Sequence, residues 1–388
     1  MKYVRELNEK DRKAQLDLIC EGFPWNTPEA MKARFDLLVA HSNSFGSFED
    51  ETLASQIIAT PYTIDFFGTP YTMAGIGFVA TSENFQHQHR IDDLMSAIFK
   101  KLHEKGCVLS YLAPFSYRFY RRFGYEKVFD MLDFQIVQRD LPRFDHTYRI
   151  EEADWAQAAP IVHDLYARRA NRARGLMARE PWWEEYKFHL RKPYRFWIAY
   201  EDDEPVGYMA YLEDLEKRTL SIFEIVGQEP VLRAFLAQLR EQEGVDTIAY
   251  SCCQGLDEIV DILEDASPET TIRFQRGMMA RVVDVEAFLR SYPFARKAKF
   301  AIEIRSDRYA PWNVGIYEVE HRKGHTKVKK VFRTEEPTAR MDIEVFVKLF
   351  FGVFDLDRDR GRVEADAKLW PMIARCVRPQ GVLFADYF

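Results

Sequence analysis

The sequence predicts an α+β protein in which mixed sheets are flanked by helices, arranged in three consecutive units. Three observations predict it. At 388 residues the chain exceeds one ordinary hydrophobic core and suits two or three domains. A strand–loop–helix–strand order over 72–125 is echoed by three strands and a helix over 196–240. The stretch 285–388 again mixes strand-like and helical patterns at the size of a small domain. The expected boundaries are 1–144, 145–284 and 285–388.

In chain order, Lys2–Leu7 suits a strand and Glu9–Gly22 an amphipathic helix with Leu16, Leu18 and Ile19 on its apolar side. Phe23–Leu38 carries Pro24, Trp25 and Pro28 and then turns helical. Strands near Ser44–Phe48 and Leu53–Ile64 lead through the turn Asp65–Pro70 into a small, apolar strand (Met73, Ala74, Ile76, Phe78, Val79, Ala80). Gly75 and Gly77 inside it point to a bulge or to a ligand lying against the backbone. After the polar loop Ser82–Arg90, the residues Ile91, Leu94, Met95, Ile98, Phe99 and Leu102 recur at helical spacing, so a helix is expected over Ile91–Lys105, stopped by Gly106. Strand, loop and helix N-terminus together make an anion site, because the first helical turn carries unpaired N–H groups. The strand Val108–Ala113 is broken by Pro114, a short aromatic helix covers Ser116–Phe123, and a strand at Asp130–Gln138 is expected to close the first domain.

The polar connector Arg139–Tyr148 precedes a second unit with a strand at Tyr148–Ala153, a helix at Trp155–Arg169, strands at Phe196–Tyr200, Val206–Leu212 and Leu220–Val226, and a helix at Val231–Arg240. Its pre-helix loop, Gly227–Pro230, has no basic residue and no glycine run, which suits a structural copy. Arg172, Arg174, Met177, Trp182 and Trp183 read either as a buried aromatic corner or as a ligand site. The strand Met278–Val283 and helix Val285–Ser291 form the second join. Three strand-like runs over Ala298–Val331 and helices at Ile343–Phe351 and Leu369–Val377 complete the chain.

Hydrophobic content of 47% with 30% charged residues is that of a globular protein. No apolar run approaches the roughly 20 residues of a bilayer span. Cys20, Cys107, Cys252, Cys253 and Cys376 follow no disulfide or CxxC pattern, so a cytoplasmic address with no membrane contact is expected. A net charge of −7 argues against nucleic acid as a partner and is compatible with a cationic one.

The runs GIGFVAT (75–81) and PFSYRFYRRFGY (114–125) and the ending ADYF (385–388) identify a family. The chain resembles the Eis-like branch of the GNAT N-acetyltransferases: tandem GNAT-type domains followed by a sterol-carrier-protein-like α/β domain. The resemblance spans essentially the whole length and implies acetyl-CoA as co-substrate, a small-molecule primary amine as acceptor, no metal, and a homo-oligomer, mostly a hexamer. It implies that the backbone of Val79, Ala80 and Thr81 pairs with pantetheine, and that His87, Gln88, His89, Arg90, Ile91 and Asp92 meet the pyrophosphate, with Phe115 and Ser116 beside the cofactor. Tyr120 is the implied general acid, with Tyr117 as fallback. The terminal carboxylate of Phe388 is the implied base, with Glu83 and Glu126 as alternatives. A terminal carboxylate, with a reference pKa of about 3.3–3.7, is weak for that task unless shielded or acting through water. The apolar tail Val382–Phe388 nevertheless favours burial.

One departure stands out. The family pattern at the loop is two adjacent arginines, any residue, then glycine; here stand Gln86, His87, Gln88 and His89, followed by Arg90. Asp92 and Asp93 suit the helix dipole but oppose a diphosphate, leaving Arg90 as the expected compensating cation. Two further classes therefore stay open: a family member that has lost its cofactor and acts as a binding or scaffold protein, and an apolar-ligand binder with a cavity near Phe346, Leu349 and Phe350. His87-x-His89 lacks a third metal ligand nearby, Asp355, Asp357 and Asp359 read as a solvated turn rather than a calcium loop, and Cys252–Cys253 as buried thiols.

Overall fold

The computed structural model describes residues 1–388 except 170–171, 257–258, 260–261, 264–270, 366–368 and 379–380. The N-terminal sheet is built from β1 (Lys2–Glu6), β2 (Asn43–Glu49), β3 (Thr52–Phe66) and β4 (Thr69–Thr81), neighbours paired antiparallel. Helices α1 (Arg12–Gly22) and α2 (Pro28–Ala40) precede β2. Helix α3 (Arg90–Glu104) buries Leu94, Met95, Ile98, Phe99 and Leu102 of the expected stripe, while Ile91 at its start is half-buried and lines the groove described below. It crosses over to β5 (Leu109–Leu112), which lies parallel to β4. The short helix α4 (Tyr117–Arg121) and β6 (Glu126–Lys127) follow.

The strand expected to close this sheet does not do so. β7 (Asp130–Val137) pairs antiparallel with β13 (Thr247–Cys253) and β14 (Thr271–Arg276) in a different sheet. The vacant place is taken by β15 (Met279–Val282), which runs between β5 and β6. The physical reason lies in burial. All four residues of β15 are buried, as a central strand requires, and its Arg281 finds Asp307 at 2.6–2.8 Å. β7 instead packs Phe134 and Ile136 into the core holding Ile248 and Tyr250. The two units exchange strands, so cuts at 144 and 284 separate strands from their own sheets.

The second sheet has seven strands in the order β14-β7-β13-β12-β11-β10-β8, using β8 (Arg149–Ala153), β10 (Arg195–Glu201), β11 (Glu204–Asp214) and β12 (Thr219–Val226). Helices α5 (Trp155–Ala167), α6 (Pro181–Glu185) and α7 (Glu229–Glu241) belong to this unit. It repeats the core of the first. β12 and β13 are parallel as β4 and β5 are, and each pair stops early, at Ile222↔Tyr250 and Ile76↔Leu112. Just beyond, each middle strand bulges against its antiparallel neighbour, between partners Ala210/Tyr211 and Gln56/Ile58. Each unit therefore contains a fork where two parallel strands part. An unexpected strand, β9 (Arg174–Ala178), leaves the second unit to extend the first sheet along β3.

The third unit contains α8 (Val285–Ser291), a five-stranded sheet, α9 (Ile343–Phe350) and α10 (Leu369–Cys376). Phe346 and Phe350 pack ring to ring at 4.5 Å and against Phe288 and Tyr292 at 4.9–5.7 Å. Side chains occupy the place where an apolar ligand was one of the open readings. Asp359 is not in a solvated turn as expected: it is buried and ion-paired to Lys348 at 2.6 Å, while Asp355 caps the turn by accepting from Asp357 and Arg358 N–H. Burial selected a cation partner for Asp359.

Candidate functional site

The site is the first fork. β4 pairs with β5 only from Met73 to Ile76; beyond that its edge is released, and Val79, Ala80 and Thr81 line a groove of about 760 Å³. Phe78 sits at φ +47 in the bulge, a left-handed conformation that a non-glycine residue adopts at a cost of about 1–2 kcal/mol. The other wall is Phe85 to Asp92, with Phe115, Phe119 and Arg122 across from it. A groove of this size falls in the range of cofactor sites.

The loop keeps the expected backbone despite its altered side chains. His87 and His89 take φ +61 and +56, the region a glycine occupies without strain. His89 is the residue before α3, and no side chain caps the helix there. First-turn N–H groups thus remain directed at the groove. Asp92 and Asp93 are both compensated. Asp92 accepts from the Tyr309 hydroxyl at 2.6 Å and from Arg122 at 2.9 Å, and Lys2 pairs with Asp93 at 2.5 Å. Burial, and then the bond to Asp92, push the Tyr309 phenol up to about 12, so it stays protonated and donates.

Arg90 does not play the part expected of it. Its side chain is turned inward, and its five N–H donors are met by Gln88 Oε1 (3.1 and 2.9 Å), Ser47 Oγ (3.2 Å), Phe48 C=O (3.1 Å) and Glu49 Oε2 (2.5 Å). It pins the loop to β2 and is spent as a cation. The groove's guanidinium is Arg122, which sequence reasoning missed. Arg122 follows the five-residue α4, too short for a periodicity to show which of two adjacent arginines faces inward.

Tyr120 is buried in the cluster that holds Ala74, Ile76 and Leu112, on the α3 face of the sheet. Its ring is edge-on to Phe115 at 5.3 Å, and burial, with Tyr125 nearby, pushes its phenol well up. Ser116 caps α4 by accepting from Phe119 N–H at 3.2 Å, and Phe115 is largely exposed on the groove. The fallback Tyr117 donates to the Gly277 C=O at 2.5 Å. Glu126 is held by Arg121 at 2.8–3.2 Å, and Glu83 is exposed.

Phe388 reaches the opposite face of the same strand. A Cβ at Gly75 would lie 2.6 Å from its ring, and one at Gly77 would lie 3.7 Å from its carboxyl carbon. The two glycines accommodate the tail rather than marking the bulge, which begins one residue later. The Phe388 ring stacks on Tyr62 at 5.4 Å and abuts Phe384 and Trp183. Trp183 is buried and Trp182 stacks on His41 at 4.2 Å, so this region is an aromatic corner. Tyr120 and Phe388 are not in contact across the sheet; the fork is what lies between their two faces.

Comparisons with known proteins agree with this geometry. The acetyltransferase (GNAT) domain family matches residues 3–128, and the sterol carrier protein domain family matches residues 285–382. A solved structure from Enterococcus faecalis, described as a conserved protein of unknown function and probable N-acyltransferase, is 28% identical with full coverage of both chains and a TM-score of 0.93. Eis1 from Mycobacterium abscessus shares the fold over both full lengths at 19% identity and a TM-score of 0.79. An uncharacterized N-acetyltransferase from Streptomyces avermitilis is 22% identical over 81% of this chain and 82% of its own. The chain carries a GNAT acetyltransferase domain over 3–128 and a sterol-carrier-protein domain over 285–382, on a fold it shares with Eis1, and is an acyltransferase.

Proposed function

We propose that the protein transfers the acetyl group of acetyl-CoA to a primary amine. The observation that carries this reading is the first fork, where a released strand edge, an uncapped helix N-terminus and the chain's own terminal carboxylate converge. The residues present fit the cofactor: Val79 to Thr81 would hold its extended arm and the first-turn N–H groups of α3 its diphosphate, while Arg122, half-exposed on the groove and already neutralising Asp92, would offer its outward N–H donors. Acetyl-CoA, when bound, supplies a thioester whose carbonyl carbon an amine attacks. The amine must arrive deprotonated and the departing sulfur must be reprotonated. The Phe388 carboxylate accepts the amine proton, directly or through one water, while its ring is held in the aromatic corner. The Tyr120 hydroxyl, protonated throughout the neutral range because burial raises it, donates to the sulfur and recovers its proton from solvent. Positioning both reactants at one gap supplies much of the remaining rate.

Calorimetric titration with acetyl-CoA tests the reading, run beside a His87→Arg/His89→Gly variant and followed by an amine panel. Micromolar binding by the unaltered chain, with turnover of at least one amine, is expected. Silence from the unaltered chain, with heat only from the variant, would mean that cofactor binding has been given up and that the protein acts as a binding scaffold.

A further inference from the structure

The second unit has a fork of its own, between β12 and β13, and it is almost full. Where the first fork leaves about 760 Å³, the second leaves about 30 Å³, lined by Phe223, Glu224, Ile225, Cys253 and, from the tail, Ala385. Beside Ala385, Asp386 is 1% exposed and accepts from Arg179 Nε (3.1 and 3.2 Å), Lys187 Nζ (2.9 Å) and Trp183 Nε1 (3.1 Å). The same two cations hold Glu224, just past the bulge of β12, at 2.5–3.1 Å, and Tyr208 donates to it at 2.6 Å. Two carboxylates and two cations leave no net charge, and every member is hydrogen-bonded. An arrangement of this kind specifies position more than it adds stability.

We propose that the second fork is a socket for the chain's own C-terminal tail, in which Asp386 is locked so that the Phe388 carboxylate stands at the first fork. Phe388 lies two residues beyond Asp386, and two residues of extended chain reach about 7 Å at most. Fixing Asp386 therefore fixes the carboxylate to within that radius. Arg191 adds a bond to the Tyr387 C=O at 2.7 Å in between. Arg179, Lys187 and Glu224 are positioning residues: they touch the tail or its partners and no reactant. The catalytic consequence rests on the acyl-transfer reading above; the docking itself does not.

Carboxypeptidase A separates the two, because it removes a C-terminal phenylalanine only when the tail is free. The full chain is compared with Lys187→Met/Asp386→Asn, which removes one cation and one anion together and leaves the Arg179–Glu224 pair. Intact-mass spectra are expected to show Phe388 protected in the parent and released at least about tenfold faster in the variant. Its kcat should fall by about 10²-fold, the scale of a 1 Å misplacement, with KM for acetyl-CoA within twofold. If the double variant does not fold, the surface change Arg191→Ala provides the same comparison, with release about threefold faster. Equal protection of Phe388 in parent and folded variants would overturn the socket. Faster release with kcat unchanged would overturn the positioning role. A parent that protects Phe388 but acetylates nothing leaves the socket standing and counts against the acyl-transfer reading alone.

Discussion

Two arginines near the groove have opposite duties, and their substitution separates them. Arg122→Ala is expected to weaken acetyl-CoA binding about tenfold, the worth of one charge-assisted hydrogen bond, with a shallower salt dependence and little change in Tm. Arg90→Ala should do the reverse, costing at least about 2 kcal/mol of stability because buried acceptors at Ser47 and Phe48 lose their donor. Urea denaturation and calorimetry on both variants check this; equal loss of binding from both would contradict the division of roles. Tyr120→Phe keeps the ring contacts to Phe115, Phe119 and Tyr125, so Tm should hold while kcat falls about 10²-fold. The aromatic run around Tyr120 was readable in the sequence, as was the loss of the loop's fixed cations. The inward turn of Arg90 was not, since three of its four partners lie 41–43 positions away.

At the scale of elements, β4 serves two occupants through its alternation. Ala74 and Ile76 face α3, while Gly75 and Gly77 face the tail. Gly75→Ala is therefore expected to leave the sheet intact and displace the Phe388 ring, lowering kcat at least about tenfold with little change in acetyl-CoA affinity. Steady-state kinetics and circular dichroism decide it; unaltered kcat with a folded sheet would argue against Phe388 as base. Helix α3 was legible from its apolar period and its stop at Gly106. Which strands complete the sheets was not, because that choice is made by distant partners: β7 joins β13 and β14, and β15 joins β5 and β6. Helix α3 is also braced from the third unit, by Tyr309 at Asp92 and by Trp312, stacked on His103 at 4.5 Å. Neither contact has a local signature.

Across the whole molecule, strand exchange and the tail tie the units together, and the tail's ion cluster makes part of that tie sensitive to acid. Burial alone pushes Asp386 and Glu224 up, but Arg179 and Lys187 overcome it and hold Asp386 below, and Glu224 well below, their ordinary values of 3.8 and 4.5. Because these folded-state values are depressed, the stabilisation is complete above the ordinary carboxyl range and is lost as pH falls through and below it. Glu184 and Glu344, raised by burial, act in the opposite sense. The urea midpoint should thus hold down to about pH 4.5 and then drop, with a shallower drop in Lys187→Met/Asp386→Asn; identical profiles would remove the cluster from acid stability. The implied homo-oligomer is expected to show as a multiple of the 45.7 kDa chain in light scattering. Among the described residues no helix is long and apolar enough to cross a membrane.

Local features followed directly from the order of residues: the apolar stripe of α3, the small residues of β4, the aromatic run before Phe123-Gly124-Tyr125, and a tail too apolar to remain in water. Each depends on neighbours within a turn or two of chain, where periodicity and composition act directly. Which strand completes which sheet, which arginine lines the groove, and that the tail reaches the second fork were settled by the folded chain. Those outcomes depend on burial and charge pairing between residues as far apart as Arg179 and Asp386, a pairing that exists only once the chain is folded.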